Sequence, residues 1–226
     1  MYKYLFILVI VSPCIGNVWG QSKGLKMLQK SMEAYGKLSD FDLRTNTVVY
    51  GGGSSMPVMS TRTHSIKKDS LFYQDNGFSK IVRTKRKLLI LNEEEKSISV
   101  QPASFLNSKE QAIEKDLFDQ QLLNADIRYL GEQEGMYYLQ LKASSEAYEM
   151  AEIYLEKNTS LLKKIIYHYN EEDFNGVSKV MMKIDISPVS ESMELLTERY
   201  YLVRDGKEIK PSSRFKHFTI LQPTLF

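Results

Sequence analysis

The chain has 226 residues, 26% of them charged, and a formal net charge of +2. A balance this even excludes a general polyanion binder, so no nucleic-acid partner is expected. Tyr (14) and Met (10) are plentiful, and both suit an apolar surface that adapts its shape.

Residues 1–20 read as a signal peptide. Lys3 supplies the positive start, Leu5 to Val11 the apolar core, and Pro13 ends it. Val18-Trp19-Gly20 places the expected cleavage before Gln21. The apolar run is shorter than the about 20 residues a membrane-spanning helix needs. Cys14 is the only cysteine, and it lies inside the leader. It opens an alternative in which the lipidated Cys14 becomes the N-terminus, although Pro13 is a poor predecessor for that processing. Cleavage after Gly20 leaves residues 21–226 without disulfide or thiol chemistry, and stability must then come from packing.

Gly24 to Ser39 follows as an amphipathic helix, with Leu25, Leu28, Met32, Tyr35 and Leu38 at three-and-four spacing. Strand-like runs then recur to the C-terminus. The first set is 42–50, 58–66, 71–74, 78–82, 87–91 and 97–101. Asp75-Asn76-Gly77 reads as a hairpin turn and Asn92-Glu93-Glu94-Glu95 as a polar turn. Residues 104–125 break the pattern, where Ile113, Leu117, Phe118 and Leu122 predict a second helix. Strands resume over 127–130, 136–142, 149–156, 161–169 and 177–187. Runs at 200–203 and 215–221 close the chain, making 188–226 an extra C-terminal strand pair. Tyr137, Leu139 and Leu141 alternate on one face, as do Ile165, Tyr167 and Tyr169, and Val180, Met182, Ile184 and Ile186. Period two with one apolar face predicts a mainly β protein built on a half-buried antiparallel sheet. Strands do not alternate with helices, which argues against a parallel α/β fold. No linker or repeat divides 21–226, and one domain is expected.

The order of elements resembles the periplasmic lipoprotein-carrier family, the lipoprotein-sorting chaperone and its outer-membrane receptor. Three stretches carry the resemblance: the leader followed by helix Leu25 to Leu38; Ile66 to Tyr73 with Leu88 to Val100; and Tyr137 to Asn170. It implies a strongly curved antiparallel sheet forming an incomplete β-barrel, with helices covering the concave face and an apolar cavity between them for acyl chains. It also implies a periplasmic location. The family's Lys-Arg-Pro turn, whose arginine holds the lid, reads Lys67-Lys68-Asp69 here, so that latch does not carry over.

Searches for chemistry return little. His64, His168 and His217 are scattered with no metal-ligand spacing, and His168 has the parity of a solvent-facing residue. No Gly-x-Ser-x-Gly elbow or phosphate-cradling loop occurs; Gly51-Gly52-Gly53 reads as a rim loop. The acidic runs 92–95 and 171–173 read as solvated turns rather than a paired-carboxylate site. No catalytic residue, cofactor or metal is therefore expected, and the chain reads as a non-enzyme. Lys80, Arg83, Lys85, Arg86 and Lys87 form the strongest basic stretch, a candidate docking surface for an envelope protein or an anionic membrane.

The expected function is to bind a lipid or a lipoprotein acyl chain. Face parity selects Leu28, Met32, Tyr35, Tyr137, Leu139, Leu141, Ile165, Tyr167, Met182 and Ile184 as lining residues. A solidly packed interior remains the alternative. An accessory interaction subunit of an envelope assembly, with the same fold and no ligand, is the rival function.

Overall fold

The computed structural model describes residues 23–52, 55–103, 126–142, 148–189, 193–205 and 208–221. The leader, with Cys14 and the Gly20 junction, and the helix read over 104–125 lie outside the described residues. The chain is mainly β. Its strands form a twelve-stranded sheet that is open, because the two end strands, Thr219–Leu221 and Asp126–Gln133, each pair on one side only among the described residues. The residues divide into two compact units. One takes the chain up to Leu38, Val49–Val58 and Ser108–Lys183; the other takes Ser39–Val48, Met59–Asn107 and Ile184–Phe226.

The first unit begins with α1 (Lys23–Gly36). Gly24, Leu28 and Ser31 are its buried residues, while Lys26 and Lys30 on the far side are exposed. The helix stops three residues short of Ser39. The N–H groups of Lys37 and Leu38 close its last turn on the carbonyls of Glu33 and Tyr35. Strands β7 (Asp126–Gln133), β8 (Met136–Lys142), β9 (Met150–Leu155), β10 (Leu162–His168) and most of β11 (Val177–Ser187) then form an antiparallel meander. The bounds of β8 and β11 are those read from alternation. β7 is longer than read, because a bulge between Tyr129 and Gly131 lets pairing continue past Leu130. Leu28 packs with Ile127, Leu139, Leu141, Ala151, Ile153, Leu155 and Ile165 to make this unit's core.

The second unit holds most of β1 (Phe41–Gly51) and β2 (Pro57–Lys68), and all of β3 (Leu71–Asp75), β4 (Ser79–Arg83), β5 (Lys87–Asn92) and β6 (Ser97–Pro102). The Asp75-Asn76-Gly77 turn forms as read. Gly77 takes a φ of +85°, which a side chain would strain, and its N–H donates to Asp75 Oδ1 at 2.8 Å. Asn76 Oδ1 accepts the N–H groups of Phe78 and Ser79, so β4 starts at Ser79 and leaves Phe78 71% exposed. Asn92 Oδ1 organises the next turn in the same way, accepting from Glu94 and Glu95 at 3.0 Å.

Two readings of the C-terminal segment are corrected. Tyr200 and Tyr201 belong to a helical turn, α2 (Glu198–Tyr201), rather than to a strand. β12 (Leu202–Asp205) follows and pairs with β13 (Glu208–Pro211) as a separate hairpin. Residues 215–218 are not strand either: a 3-10 turn spans Ser213–Phe215, and only β14 (Thr219–Leu221) extends the sheet. β14 lies parallel to β6, with Ile220 beside Ile98, an exception to the antiparallel expectation. The cause is packing. Leu196, Tyr201, Leu202 and Phe218 are buried with Ile66, Tyr73, Val82, Leu89, Leu91, Ile98 and Val100, so the segment folds onto one face of the β2–β6 meander. Ser212 ties its bends together, donating its hydroxyl to the Tyr200 carbonyl at 2.7 Å and its N–H to Tyr201 at 2.8 Å.

Candidate functional site

The first unit's apolar face is the site that the face-parity argument selects. α1 enters it at β7 in very close approach: a Cβ on Gly24 would lie 2.9 Å from the Ile127 carbonyl oxygen. At its other end the Tyr35 hydroxyl donates to the Leu162 carbonyl at 3.3 Å, and burial holds that phenol well above its ordinary pKa. Ile127 aligns through Leu141 and Ala151 with Tyr167, whereas Leu162 aligns through Leu155 and Tyr137 with Glu132. The helix therefore starts over one row of the meander and ends over another, crossing β8 and β9 diagonally. A diagonal crossing leaves a corner of the face to other side chains. There Tyr148, Tyr167, Tyr169 and Phe174 form a run of rings, at centroid distances of 5.1, 6.4 and 4.7 Å. Burial raises the Tyr148 and Tyr167 phenols, so both stay neutral.

Of the ten expected lining residues, Leu28, Leu139, Leu141 and Ile165 are buried in the floor of this face. Tyr137, Tyr167 and Met182 pack half-buried around it, and Tyr35 joins through Leu162. Met32 is half-buried on α1. Ile184 is buried but falls in the other unit, where β11 continues. Ile127, Ala151, Ile153 and Leu155 complete the floor and were not selected from the sequence. β9 hid its share, because Tyr154 is as buried on the opposite face as Ile153 and Leu155 are on this one.

The opposite face of β8–β10 is polar and tightly paired. Glu152 accepts from the Tyr154 hydroxyl at 2.8 Å and lies 2.7 Å from His168 Nε2. His168 thus has the parity that was read, but it is half-buried and has a carboxylate partner. Tyr138 stacks on Tyr154 at 5.0 Å, and Lys164 Nζ sits 3.7 Å over the Tyr154 ring while pairing with Glu134. Burial is the largest single influence on Glu152 and opposes its ionisation. The hydrogen bonds from Tyr154 and His168, with the nearby charges of His168 and Lys164, together outweigh it, so the carboxyl lies below its ordinary value. A depressed carboxyl contributes stability above its unfolded pKa of about 4.3 and loses it as pH falls through the folded value. The expected result is that acid unfolding of the native protein begins below about pH 4 and that Glu152→Gln flattens this part of the profile, read by circular dichroism.

The other histidines do not converge with it. His64 Nε2 lies 2.8 Å from the buried Asp42. His217 is exposed beside Phe218, in the turn before β14 rather than in a strand. Among the described residues no group of three or more His, Cys, Asp or Glu is placed to hold a metal. No described helix is long and apolar enough to cross a membrane.

The structure also sorts the basic stretch. Lys80 pairs with Glu93 and lies 3.8 Å from Asp75, and Lys87 pairs with Glu198. Lys85 and Arg86 are exposed in the β4–β5 turn. Arg83 alternates with Lys80 and so occupies the other face of β4.

No protein-family model matches the chain, and no curated protein does. Solved structures similar to it include an uncharacterized conserved protein from Thermus thermophilus (12% identity, TM-score 0.43, covering 87% of this chain and 97% of that one). Another is a chain of the MucA/MucB complex of Pseudomonas aeruginosa (13%, 0.42, 84%), of whose length this chain spans 63%. A third is a LolA superfamily protein from Nitrosomonas europaea (8%, 0.32, 80% of this chain and 100% of that one). A fourth is an outer membrane lipoprotein-sorting protein domain from Vibrio parahaemolyticus (10%, 0.31, 76% of this chain and 96% of that one). These are distant likenesses.

Proposed function

We propose that this chain is an exported, non-enzymatic, carrier-like protein of the periplasm that holds a lipid, or the acyl part of a lipoprotein, against the apolar face beneath α1. The observation that carries the reading is the set of half-buried Tyr and Met side chains packed against a buried aliphatic floor. Tyr137, Tyr148, Tyr167, Met27 and Met182 offer apolar area that is not sealed from solvent, and Met adapts to cargo of varied shape. An acyl chain needs no polar partner there. At about 0.8 kcal/mol per buried methylene, fifteen methylenes supply on the order of 12 kcal/mol before entropy is subtracted. Native mass spectrometry of protein purified from its source envelope is expected to show a lipid adduct. A bare apo mass, with no uptake of a fluorescent fatty acid, would overturn the reading.

A second reading, an interaction subunit of an envelope assembly, is favoured by one feature. Among the described residues β7 pairs on one side only and leaves Leu130 49% exposed, an arrangement that accepts an added strand. Crosslinking that captures one stoichiometric protein partner on β7, without lipid, selects it.

A further inference from the structure

Burial raises several phenols of this chain, and most of them have a partner. The hydroxyls of Tyr35, Tyr73, Tyr154 and Tyr201 donate to the Leu162 carbonyl, Asp75, Glu152 and the Leu195 carbonyl. Tyr148 and Tyr167 differ. Burial holds both phenols up in the same way, but among the described residues neither hydroxyl has a hydrogen-bond partner. A hydroxyl withdrawn from bulk water ordinarily finds an acceptor, because leaving it unmet in apolar surroundings is costly. Both side chains are half-buried rather than sealed, so a ligand can reach them. The rings meet edge to face at 5.1 Å, and the Tyr148 phenol adds to burial in opposing ionisation of Tyr167. The two donors therefore serve one place.

That place lies wholly within the first unit, at the corner of the apolar face that the diagonal crossing of α1 leaves to other side chains. Tyr167 stands across from Ala151 on β9 and Val180 on β11, and Leu141 and Ile127 continue its row to β7, so the row carries no charge. The neighbouring row, from Ile165 to Tyr129, carries none either. Lys23 reaches the face at that far end, 3.8 Å over the Tyr129 ring and three strands away from β10. The charges at the near edge are negative. Glu149 follows Tyr148 directly, and Glu171, Glu172 and Asp173 lead into Phe174, whose ring packs on Tyr169 at 4.7 Å; all four acids are exposed. Phenol donors with acids beside them suit a neutral acceptor. A carboxylate would lose water there without a counter-charge and would face those acids, whereas an ester carbonyl carries neither cost.

We infer that the Tyr148 and Tyr167 hydroxyls recognise the carbonyl of a neutral, ester-linked acyl chain, so that this corner selects acyl esters over alkyl ethers and free fatty acids. The inference rests on the acyl-binding reading and names the class of cargo. It is tested by calorimetric titration of the intact protein at neutral pH with 1-decanoylglycerol, its ether 1-O-decylglycerol, and decanoate. The ester is expected to bind about tenfold more tightly than the ether, which matches it in length but lacks the carbonyl. Decanoate enters by its chain alone and should bind more weakly than the ester. Tyr148→Phe and Tyr167→Phe keep both rings and remove only the hydroxyls. Each should lower ester affinity about threefold, and the double variant should bind ester and ether alike, with the ether affinity unchanged. Tyr138→Phe, on the opposite face, should change nothing. Equal affinity of the parent protein for ester and ether, or a preference that survives in the double variant, overturns the phenol site and leaves the acyl reading standing. Decanoate binding as tightly as the ester overturns the assignment to a neutral head. Failure of all the probes to bind sinks the acyl reading itself.

Discussion

Replacing Tyr201 with alanine lowers stability by about 3 to 5 kcal/mol, the range for deleting a fully buried aromatic side chain. Tyr201 is 0% exposed at the centre of the second unit's core. Its ring lies 4.9 Å from Tyr200 and 5.3 Å from Phe215, and its hydroxyl donates to the Leu195 carbonyl at 3.0 Å. Alanine removes the ring that holds the C-terminal segment against Tyr73, Val82 and Leu89, and it strands that carbonyl as well. Tyr201→Phe keeps the ring and loses only the hydrogen bond, at about 1 kcal/mol. The midpoint of urea unfolding should thus fall slightly for phenylalanine and severely for alanine. Equal effects for the two would mean that the hydroxyl, not the packing, holds the segment. The burial-raised phenol remains protonated across the accessible pH range, so the difference should not depend on pH.

Strands with strict alternation were legible in the sequence, since period two fixes both the element and its buried face. β8 and β11 are the clearest cases, and the Asp75-Asn76-Gly77 turn was legible because its side chains act on their own backbone. What escaped was decided by contacts distant in sequence. Nothing local to Thr219–Leu221 specifies a parallel partner more than a hundred residues earlier; Phe218, seated in the core, delivers β14 there. Tyr200 and Tyr201 have strand propensity, but Tyr201 reaches the core from a helical turn. The face of β1 and β2 that bears Ser65 was concealed differently. Thr45, Thr47, Thr63 and Ser65 are buried, yet their hydroxyls give no apolar alternation to read. Likewise Arg83 read as one member of a basic stretch, and only the register sets it across Phe72 from Lys67, two strands away. Half of the apolar floor was legible because alternation reports greasy faces and is silent about polar ones.

Gly24→Val should release α1 from the sheet. The helix meets β7 at a point where a Cβ would stand 2.9 Å from the Ile127 carbonyl oxygen, 3.0 Å from Ile127 Cγ2 and 3.2 Å from the Arg128 carbonyl carbon. Two of those three atoms are backbone within a paired strand, so they cannot swing aside as a side-chain tip would. Alanine already brings the Cβ that meets this backbone, and its gain in helix propensity, smaller in the first turn than the about 1 kcal/mol of a helix interior, offsets the clash only in part. Valine adds two methyl groups to the same gap and brings a poorer helix propensity, so overpacking of about 1 to 3 kcal/mol goes uncompensated. The cheapest response is for the N-terminal turn to lift away, carrying Leu28 off Ile127 and Leu139. Trypsin should then cut at Lys26 and Lys30 faster than in the parent protein, with Gly24→Ala falling between the two. If the acyl ligand lies beneath α1 as proposed, fatty-acid uptake should fall in step with the loss of protection. Native protease resistance in Gly24→Val would mean that α1 is held by Tyr35 and Leu28 alone, and that its close seat on β7 is incidental to the site.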